Sequence, residues 1–277
     1  MMRTVFCVLL IAVAVASQGK GKSDSIWQKE AVANLNYSNS WYDNWAAGGE
    51  DAATWNIKLN GKIERDVLKT NWKTSGKLGY GQTKLGSGNF RKSLDEMFLE
   101  TIYSYKLTKL LNPYTAASAE TQFTRGYQYD DSSRNLVSDF WNPGYLTQSA
   151  GMGIKPVEGL VSRLGFSFKE TFSEDYNYAD DVETAERESF KIEPGLEFIT
   201  EYSAKFNKII LYKSKLNVFV NFRGTEEVDG KWENLFTAQV SKYLNVNFSL
   251  DMLYDHDMSD SRQIKQQLAL GLNYSFL

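Results

Sequence analysis

The fold is decided by the stretch from Ala53 to Asp66, which reads Ala-Thr-Trp-Asn-Ile-Lys-Leu-Asn-Gly-Lys-Ile-Glu-Arg-Asp. Its side chains alternate in polarity with a period of two. One face carries Trp55, Ile57, Leu59 and Ile63, and the other carries Thr54, Asn56, Lys58, Asn60, Lys62 and Glu64. Successive side chains of a strand point to opposite faces, so the pattern predicts a β-strand with one apolar and one polar side. The strand is longer than the usual length of roughly five or six residues and could cross a bilayer at a tilt.

The same alternation recurs along the chain. With the first stretch included, about twelve segments show it: 31–38, 53–66, 72–80, 96–107, 115–124, 145–155, 160–169, 190–202, 212–222, 232–240, 245–254 and 267–276. An even number of such strands is typical of a bacterial outer-membrane barrel.

Short and long connections alternate between these strands. The short ones fall near 66–71, 108–113, 156–159, 205–208 and 241–243, and the long ones at 39–52, 82–93, 125–139, 173–188, 223–231 and 255–262. The sequence therefore predicts an all-β, transmembrane, up-and-down antiparallel β-barrel of about 12 strands, with short periplasmic turns and longer extracellular loops.

The first residues resemble a secretory signal peptide. A positive charge at Arg3 precedes an apolar block, which ends in Ala-Val-Ala-Ser before the polar Gln18. A membrane-anchoring helix is the alternative, although the block is short for a bilayer span. We expect a signal peptide over residues 1–17 and an outer-membrane barrel domain over 18–277, in a Gram-negative bacterium. Removal of the peptide would also remove Cys7, which is the one cysteine of the chain.

Composition excludes some partners. The chain has 31 Lys and Arg against 34 Asp and Glu, and this balance argues against nucleic acid, which requires a concentrated basic face. Aromatic residues make up 14% of the chain. Many lie near strand ends, where amphipathic rings sit at headgroup level, although strands favour aromatic residues in any case. This group comprises Tyr37, Trp55, Trp72, Tyr80, Tyr103, Tyr105, Tyr114, Phe168, Phe190, Tyr202, Trp232, Tyr254 and Tyr274. A soluble barrel with its apolar face inside is the competing fold.

The polar face of the strands would line the lumen of such a barrel. We expect the following residues there: Lys58, Lys62, Glu64, Lys73, Lys77, Glu96, Glu100, Glu120, Arg163, Lys169, Lys191, Glu193, Glu197, Glu201, Lys213 and Lys215. Both signs of charge are interleaved, unlike the single-sign lining that selects one class of ion. At about twelve strands such side chains could pair across the lumen, which predicts a narrow or largely occluded pore.

Catalytic and metal-binding candidates are few. His256 lies in Asp255-His256-Asp257-Met258-Ser259-Asp260, where a histidine base with Ser259 as nucleophile would make an outer-membrane hydrolase. An acidic surface loop is the simpler interpretation of this segment. The same aspartates lack the glycine and distal glutamate of a calcium loop. The more strongly acidic segment 173–188 could recruit divalent cations at the level of the lipopolysaccharide, although a solvated acidic surface is the simpler interpretation. The sequence thus predicts a protein that is not an enzyme, with no catalytic residue, cofactor or metal site.

Two segments resemble a known family. Asn44-Trp45-Ala46-Ala47-Gly48-Gly49-Glu50, directly before the strand at Trp55, is similar to the N-terminal signature of a domain-of-unknown-function family of Gram-negative outer-membrane barrels. The closing Gly271-Leu272-Asn273-Tyr274-Ser275-Phe276 looks like that family too. A weaker similarity is to salt-induced outer-membrane proteins. The resemblance implies a location and a fold but no activity, so the role of Asn44, Trp45, Gly48, Gly49 and Glu50 stays open.

The expected partners follow from the same interpretation. Tyr274 and Phe276 resemble the terminal signal that the barrel assembly machinery reads during biogenesis. Outer-membrane lipids and lipopolysaccharide would surround the barrel. Its function would be a narrow or occluded solute passage or a structural and interaction platform, with the hydrolase centred on His256 as the alternative.

Overall fold

The computed structural model describes residues 26–42, 50–129, 133–174, 176, 178–179, 187–222, 228–255 and 259–275. These residues form fourteen strands, of which most are long. Their bounds are β1 (Trp27–Ser40), β2 (Ala52–Val67), β3 (Thr70–Leu85), β4 (Arg91–Tyr105), β5 (Leu111–Thr121), β6 (Gly126–Tyr129), β7 (Arg134–Ser138), β8 (Gly144–Val157), β9 (Leu160–Phe172), β10 (Phe190–Lys205), β11 (Ile210–Asn221), β12 (Val228–Gln239), β13 (Leu244–Asp255) and β14 (Ser259–Ser275).

Twelve of these strands close into one barrel in the order β1-β14-β13-β12-β11-β10-β9-β8-β5-β4-β3-β2. Each strand pairs antiparallel with its sequence neighbours in the barrel, and β1 closes the ring on β14. The two remaining strands, β6 and β7, form a separate hairpin between β5 and β8. The ring closes where Val32–Tyr37 of β1 pair with Leu270–Ser275 of β14, and closure of this kind is what a strand protein requires within a bilayer. The predicted antiparallel barrel of about twelve strands is confirmed.

The two faces of the strands differ sharply in polarity. Leu59 and Ile63 of β2 point outward and are 44% and 45% exposed, and Phe166 of β9 is 68% exposed. The inward face instead buries charged groups, since Glu100 of β4 is 4% exposed and Arg163 of β9 is 6% exposed. An apolar exterior around a polar interior is the reverse of a soluble barrel, so the barrel is of the transmembrane type.

The described residues contain no helix that is both long enough and apolar enough to cross a membrane.

The two rims of the barrel differ in their connections. The short-turn rim carries the turns 68–69, 106–110, 158–159, 206–209 and 240–243, while the long-loop rim carries 41–51, 86–90, 122–143, 173–189 and 222–227 together with the link between β13 and β14. Several strands extend further than the alternation predicts. The segments predicted as loops at 82–93 and 255–262 are therefore largely strand, because β3 runs to Leu85, β4 begins at Arg91 and β14 begins at Ser259.

The outward face also carries one enclosed polar side chain. Asn234 of β12 is 5% exposed because aromatic neighbours cover it. The hydroxyl of Tyr212 donates to Oδ1 of Asn234 at 2.7 Å, and the Tyr212 ring stacks on Phe236 with centroids 4.4 Å apart. The aromatic cover satisfies a polar group that lipid alone would leave without a partner.

Candidate functional site: the lumen

The inward face of the strands defines the lumen, and the strand register shows which side chains reach it. Asn56 of β2 pairs with Asn36 and Gly81, and each second residue along β2 shares its face. By the same registers, the inward face carries the following residues of the set expected in the lumen: Lys58, Lys62, Glu64, Lys73, Lys77, Glu96, Glu100, Lys191, Glu193, Glu197, Lys213 and Lys215.

Several ion pairs among the described residues cross the lumen between distant strands. Nζ of Lys73 on β3 lies 3.3 Å from Glu201 on β10, and Nζ of Lys77, also on β3, lies 3.5 Å from Glu233 on β12. Lys231 on β12 lies 2.7 Å from Glu120 on β5. In the ring of twelve strands, the two strands of each pair are five positions apart, so these side chains join nearly opposite walls.

A buried charge cluster surrounds Arg163 on β9. Its Nη2 donates to Oε1 of Glu100 at 2.9 Å and lies 3.8 Å from Oε1 of Glu201. Lys215 of β11 approaches both of these carboxylates at 3.9 Å. The side chains of Arg163 and Glu100 are each 6% exposed, so their attraction is screened far less than that of a surface pair. Four strands, β4, β9, β10 and β11, are therefore held together through the interior.

A second cluster lies around Lys169 of β9. Its Nζ is 2.6 Å from Asp229, 3.8 Å from Asp255 and 3.9 Å from Glu193. Lys191 lies 3.2 Å from the other carboxylate oxygen of Glu193. One ammonium thus connects β9 to β10, β12 and β13, and this arrangement places Asp255 with the lumen charges, although the sequence assigns it to a rim loop.

Apolar side chains also occupy the lumen, and the polarity pattern did not reveal them. Among the described residues, the buried ones with large side chains are Ile102, Tyr114, Ile199 and Phe219. The Arg163 guanidinium lies 5.5 Å from the Tyr114 ring centroid. Tyr114 was predicted at headgroup level, and this is wrong, since it lies on the inward phase of β5 opposite Ser104 and is 7% exposed. The sequence contained a signal for the inward position of Tyr114. The predicted outward residues of this strand begin at Thr115, and the neighbouring residue of a strand faces the opposite side.

A chain of hydrogen-bonded, uncharged side chains lines the lumen wall away from the Arg163 cluster. Oγ1 of Thr237 donates to Asn247 at 3.0 Å, Asn247 donates to Asn36 at 3.2 Å, and Asn36 donates to Asn56 at 2.7 Å. We call these four residues the asparagine chain. Gly271 of β14 lies beneath it, and a Cβ there would come within 2.5 Å of the Asn247 amide nitrogen.

The lumen keeps open space at its long-loop end. A cavity of about 340 Å³ lies between the ends of β1, β2, β3, β4 and β14, beside Asn56. Apart from Glu100 of β4, the clusters of Arg163 and Lys169 lie on other strands of the ring. The interior is therefore divided into an ion-paired part and a polar vestibule next to the long-loop rim.

The connection from β5 to β8 is an ordered structure on the long-loop rim, where the sequence predicts only a loop. Asp95 of β4 accepts from the backbone N–H groups of Phe123 and Thr124 at 2.8 and 2.9 Å. The hydroxyl of Tyr178 donates to the carbonyl of Val137 on β7 at 3.3 Å. The hairpin β6–β7 is thus tied both to the barrel wall and to the segment after β9.

An ion pair closes the base of this hairpin. Nε of Arg125 donates to Oδ2 of Asp139 at 2.9 Å. This bond, aided by the backbone N–H of Phe140, holds the pKa of the Asp139 carboxyl below its usual value. The pair is exposed to solvent, so its contribution depends on salt.

Several predicted rim residues lie outside the described part of the chain: Asn44, Trp45, Gly48, Gly49 and His256. Glu50 is described and is exposed at the long-loop rim. The hydrolase prediction therefore stays a prediction. Among the residues that the structure describes, no group of three or more His, Cys, Asp or Glu side chains could hold a metal ion.

A family model with the description "Protein of unknown function (DUF3078)" matches residues 37–127, from β1 to β6. The predicted resemblance to a domain-of-unknown-function family is confirmed over these residues, whereas the signature at 44–50 and the similarity to salt-induced proteins stay predictions. No curated protein matches the chain.

Solved outer-membrane barrels are similar in structure. The translocator domain of the autotransporter NalP from Neisseria meningitidis is 9% identical, with 98% of this chain and 95% of that chain covered and a TM-score of 0.40. An outer membrane channel from Pseudomonas putida F1 is 11% identical, with 94% and 98% covered and a TM-score of 0.43. Similarities at this level carry no information about activity.

Proposed function

We propose that this protein is a barrel of the Gram-negative outer membrane that forms a narrow, mostly occluded passage for small polar solutes. The observation that carries the proposal is the set of ion pairs joining nearly opposite walls. An open diffusion channel would present its charges to water, whereas here Lys73, Lys77 and Lys231 each reach a carboxylate on a distant strand. The apolar exterior favours surrounding lipid, with lipopolysaccharide at the long-loop rim as the expected outer leaflet.

The test is the single-channel conductance of the refolded barrel in planar bilayers. The wild type is expected to give small or rare steps. In the opening variant, Lys73, Glu201, Lys77 and Glu233 are all replaced by serine, so that two crossing pairs are removed and the net charge stays the same. We expect its conductance to rise severalfold, because the lumen widens where the side chains met.

A matched control removes an ion pair that does not cross the lumen. Lys62 lies 2.9 Å from Glu30, its register partner on the neighbouring strand. Replacing both by serine changes the same kinds of side chain and should leave the conductance unchanged. Equal effects in the opening variant and in this control would contradict the passage, as would large permanent conductance in the wild type.

A second candidate is an interaction platform at the long-loop rim, favoured by the anchored hairpin β6–β7. Hydrogen bonds to Asp95 and from Tyr178 hold the connection in place on two sides. Replacing residues 126–138 by a short Gly-Ser linker should then remove a component that co-purifies from membranes, while conductance stays the same. An unchanged set of co-purifying components would eliminate the platform.

A further inference from the structure

The vestibule is a cavity of about 340 Å³ that exists because small residues line the neighbouring strands. Gly79 and Gly81 of β3 face inward without side chains, as does Gly271 on β14, and Ala269 of β14 faces inward with only a methyl group. Gly81 is needed at its position, because a Cβ there would come within 2.5 Å of Cβ of Asn56. The sequence thus leaves room at the same height where Asn56 reaches into the lumen.

Leu94 and Leu268 are apolar, but seven of the ten residues that line this cavity are uncharged and polar. They include Ser38, Thr54, Asn56, Thr83 and Gln267. The hydroxyl oxygens of Thr54 and Thr83 lie 3.0 Å apart, which uses one donor and leaves the second hydroxyl proton and several lone pairs free to bind a ligand. The amide nitrogen of Asn56 donates to no atom in the described part of the chain, although its oxygen accepts from Asn36.

Lys265 of β14 is the one charged residue among those that line the cavity. Its Nζ donates to the carbonyl of Ser93 at 3.1 Å, which leaves two N–H donors. Asp251 on β13 is its register partner on the same inward face, so the local charge is balanced without a direct ion pair among the described residues. A balanced cavity with many neutral donors and acceptors suits an uncharged polar ligand better than an ion.

We propose that this vestibule binds an uncharged polyhydroxylated solute of monosaccharide size. Its volume falls within the range of roughly 300 to 1,000 Å³ that is common for ligand pockets. The threonine hydroxyls, the Asn56 and Gln267 amides and the Lys265 ammonium would exchange hydrogen bonds with the ligand hydroxyls. The inference rests on the proposed function, because it names the solute class of the same lumen.

The probe is D-glucose, and the measurement is saturation-transfer NMR on the folded barrel in detergent micelles, titrated to obtain a Kd. Wild-type protein should bind glucose saturably in the millimolar range. Thr83→Val keeps the shape but removes one hydroxyl, and we expect it to weaken binding about three- to tenfold. Folding of each variant is checked by heat-modifiable gel mobility.

Thr74→Val is the matched control. Thr74 and Thr101 form a hydroxyl pair with the same 3.0 Å separation, but on the outward face of β3 and β4. This variant should bind glucose like the wild type. Absence of saturable binding in the wild type, or the same loss in both variants, would overturn the proposal.

A charged sugar distinguishes a binding site for neutral saccharides from a binding site for anions. Sodium glucuronate should bind no more than threefold more tightly than glucose, because the proposed site recognises hydroxyl groups rather than charge. If glucuronate bound at least tenfold more tightly and Lys265→Gln abolished this preference, the vestibule would be an anion site and the proposal would be wrong. Binding in micelles does not require conduction. If the barrel bound glucose but showed no conductance in bilayers, the proposed passage would be refuted and the proposed binding site would not.

Discussion

Replacing Arg163 by leucine tests the charge cluster of the lumen most severely. The guanidinium lies 2.9 Å from Glu100 and 3.8 Å from Glu201, and the side chains of Arg163 and Glu100 are each 6% exposed. Removing one partner of a buried pair costs about 3 to 5 kcal/mol, because the other charge stays buried. Lys215 remains 3.9 Å from Glu100 and compensates in part, so we expect a loss near the lower end, about 3 kcal/mol.

The assay is equilibrium urea unfolding of the barrel in lipid vesicles, followed by tryptophan fluorescence in both directions. In the double variant Arg163→Leu with Glu100→Leu the orphaned carboxylate is gone, and stability should return to within about 1 kcal/mol of the wild type. The exposed pair of Lys62 and Glu30 supplies the control, and Lys62→Leu should cost about 0 to 1 kcal/mol. The reasoning is refuted if Arg163→Leu costs less than about 1 kcal/mol, or if the double variant is as unstable as the single one.

Three further changes probe other parts of the barrel. Tyr212→Phe removes the hydroxyl that donates to Asn234, and the free energy of unfolding should fall by about 1 to 3 kcal/mol, whereas Tyr212→Phe in an Asn234→Leu background should cost much less. Gly271→Val pushes a side chain into the asparagine chain, and the free energy of unfolding in the urea assay should fall by about 1 to 3 kcal/mol. An unchanged free energy of unfolding would argue against the asparagine chain. The Arg125 bond lowers the pKa of Asp139 in the folded state, so Asp139→Asn should reduce the hydrogen-exchange protection of 122–143 above about pH 4. This difference from the wild type should vanish as the pH falls through the lowered pKa of Asp139. A difference that stays constant down to about pH 2 would contradict the prediction.

The strand pattern predicted most of the fold because a transmembrane strand has only two environments. Lipid on one side and the lumen on the other impose period two on each strand, as in the stretch from Ala53 to Asp66. The predicted ends of strands were less accurate, since strands continue past the hydrocarbon layer into water, where polarity no longer alternates. This explains why β3 reaches Leu85 and β14 begins at Ser259.

The lumen could be predicted as a set of residues but not as a set of contacts. The alternation within each strand is enough to identify Lys73 and Glu201 as lumen side chains. The sequence of a single strand does not show that these two side chains meet across the barrel. That depends on barrel radius, strand tilt and stagger, which are properties of the closed ring. Tyr114 and Phe219 were missed as lumen residues for a different reason. The prediction selected inward side chains by their polarity, whereas the phase of β5 and β11 places both rings inward.

Nitroxide scanning of β2 in lipid bilayers tests the central claim most directly. The chain from residue 18 onward contains no cysteine, so single cysteines can be placed at each position from 55 to 64 and labelled with a spin label. Odd positions such as Ile57 and Leu59 should collide mainly with oxygen dissolved in lipid, and even positions such as Lys58 and Lys62 mainly with a water-soluble nickel complex. This alternation with period two is the result that the account predicts. Equal accessibility at odd and even positions, or a reversed pattern with the apolar face shielded from lipid, would contradict it.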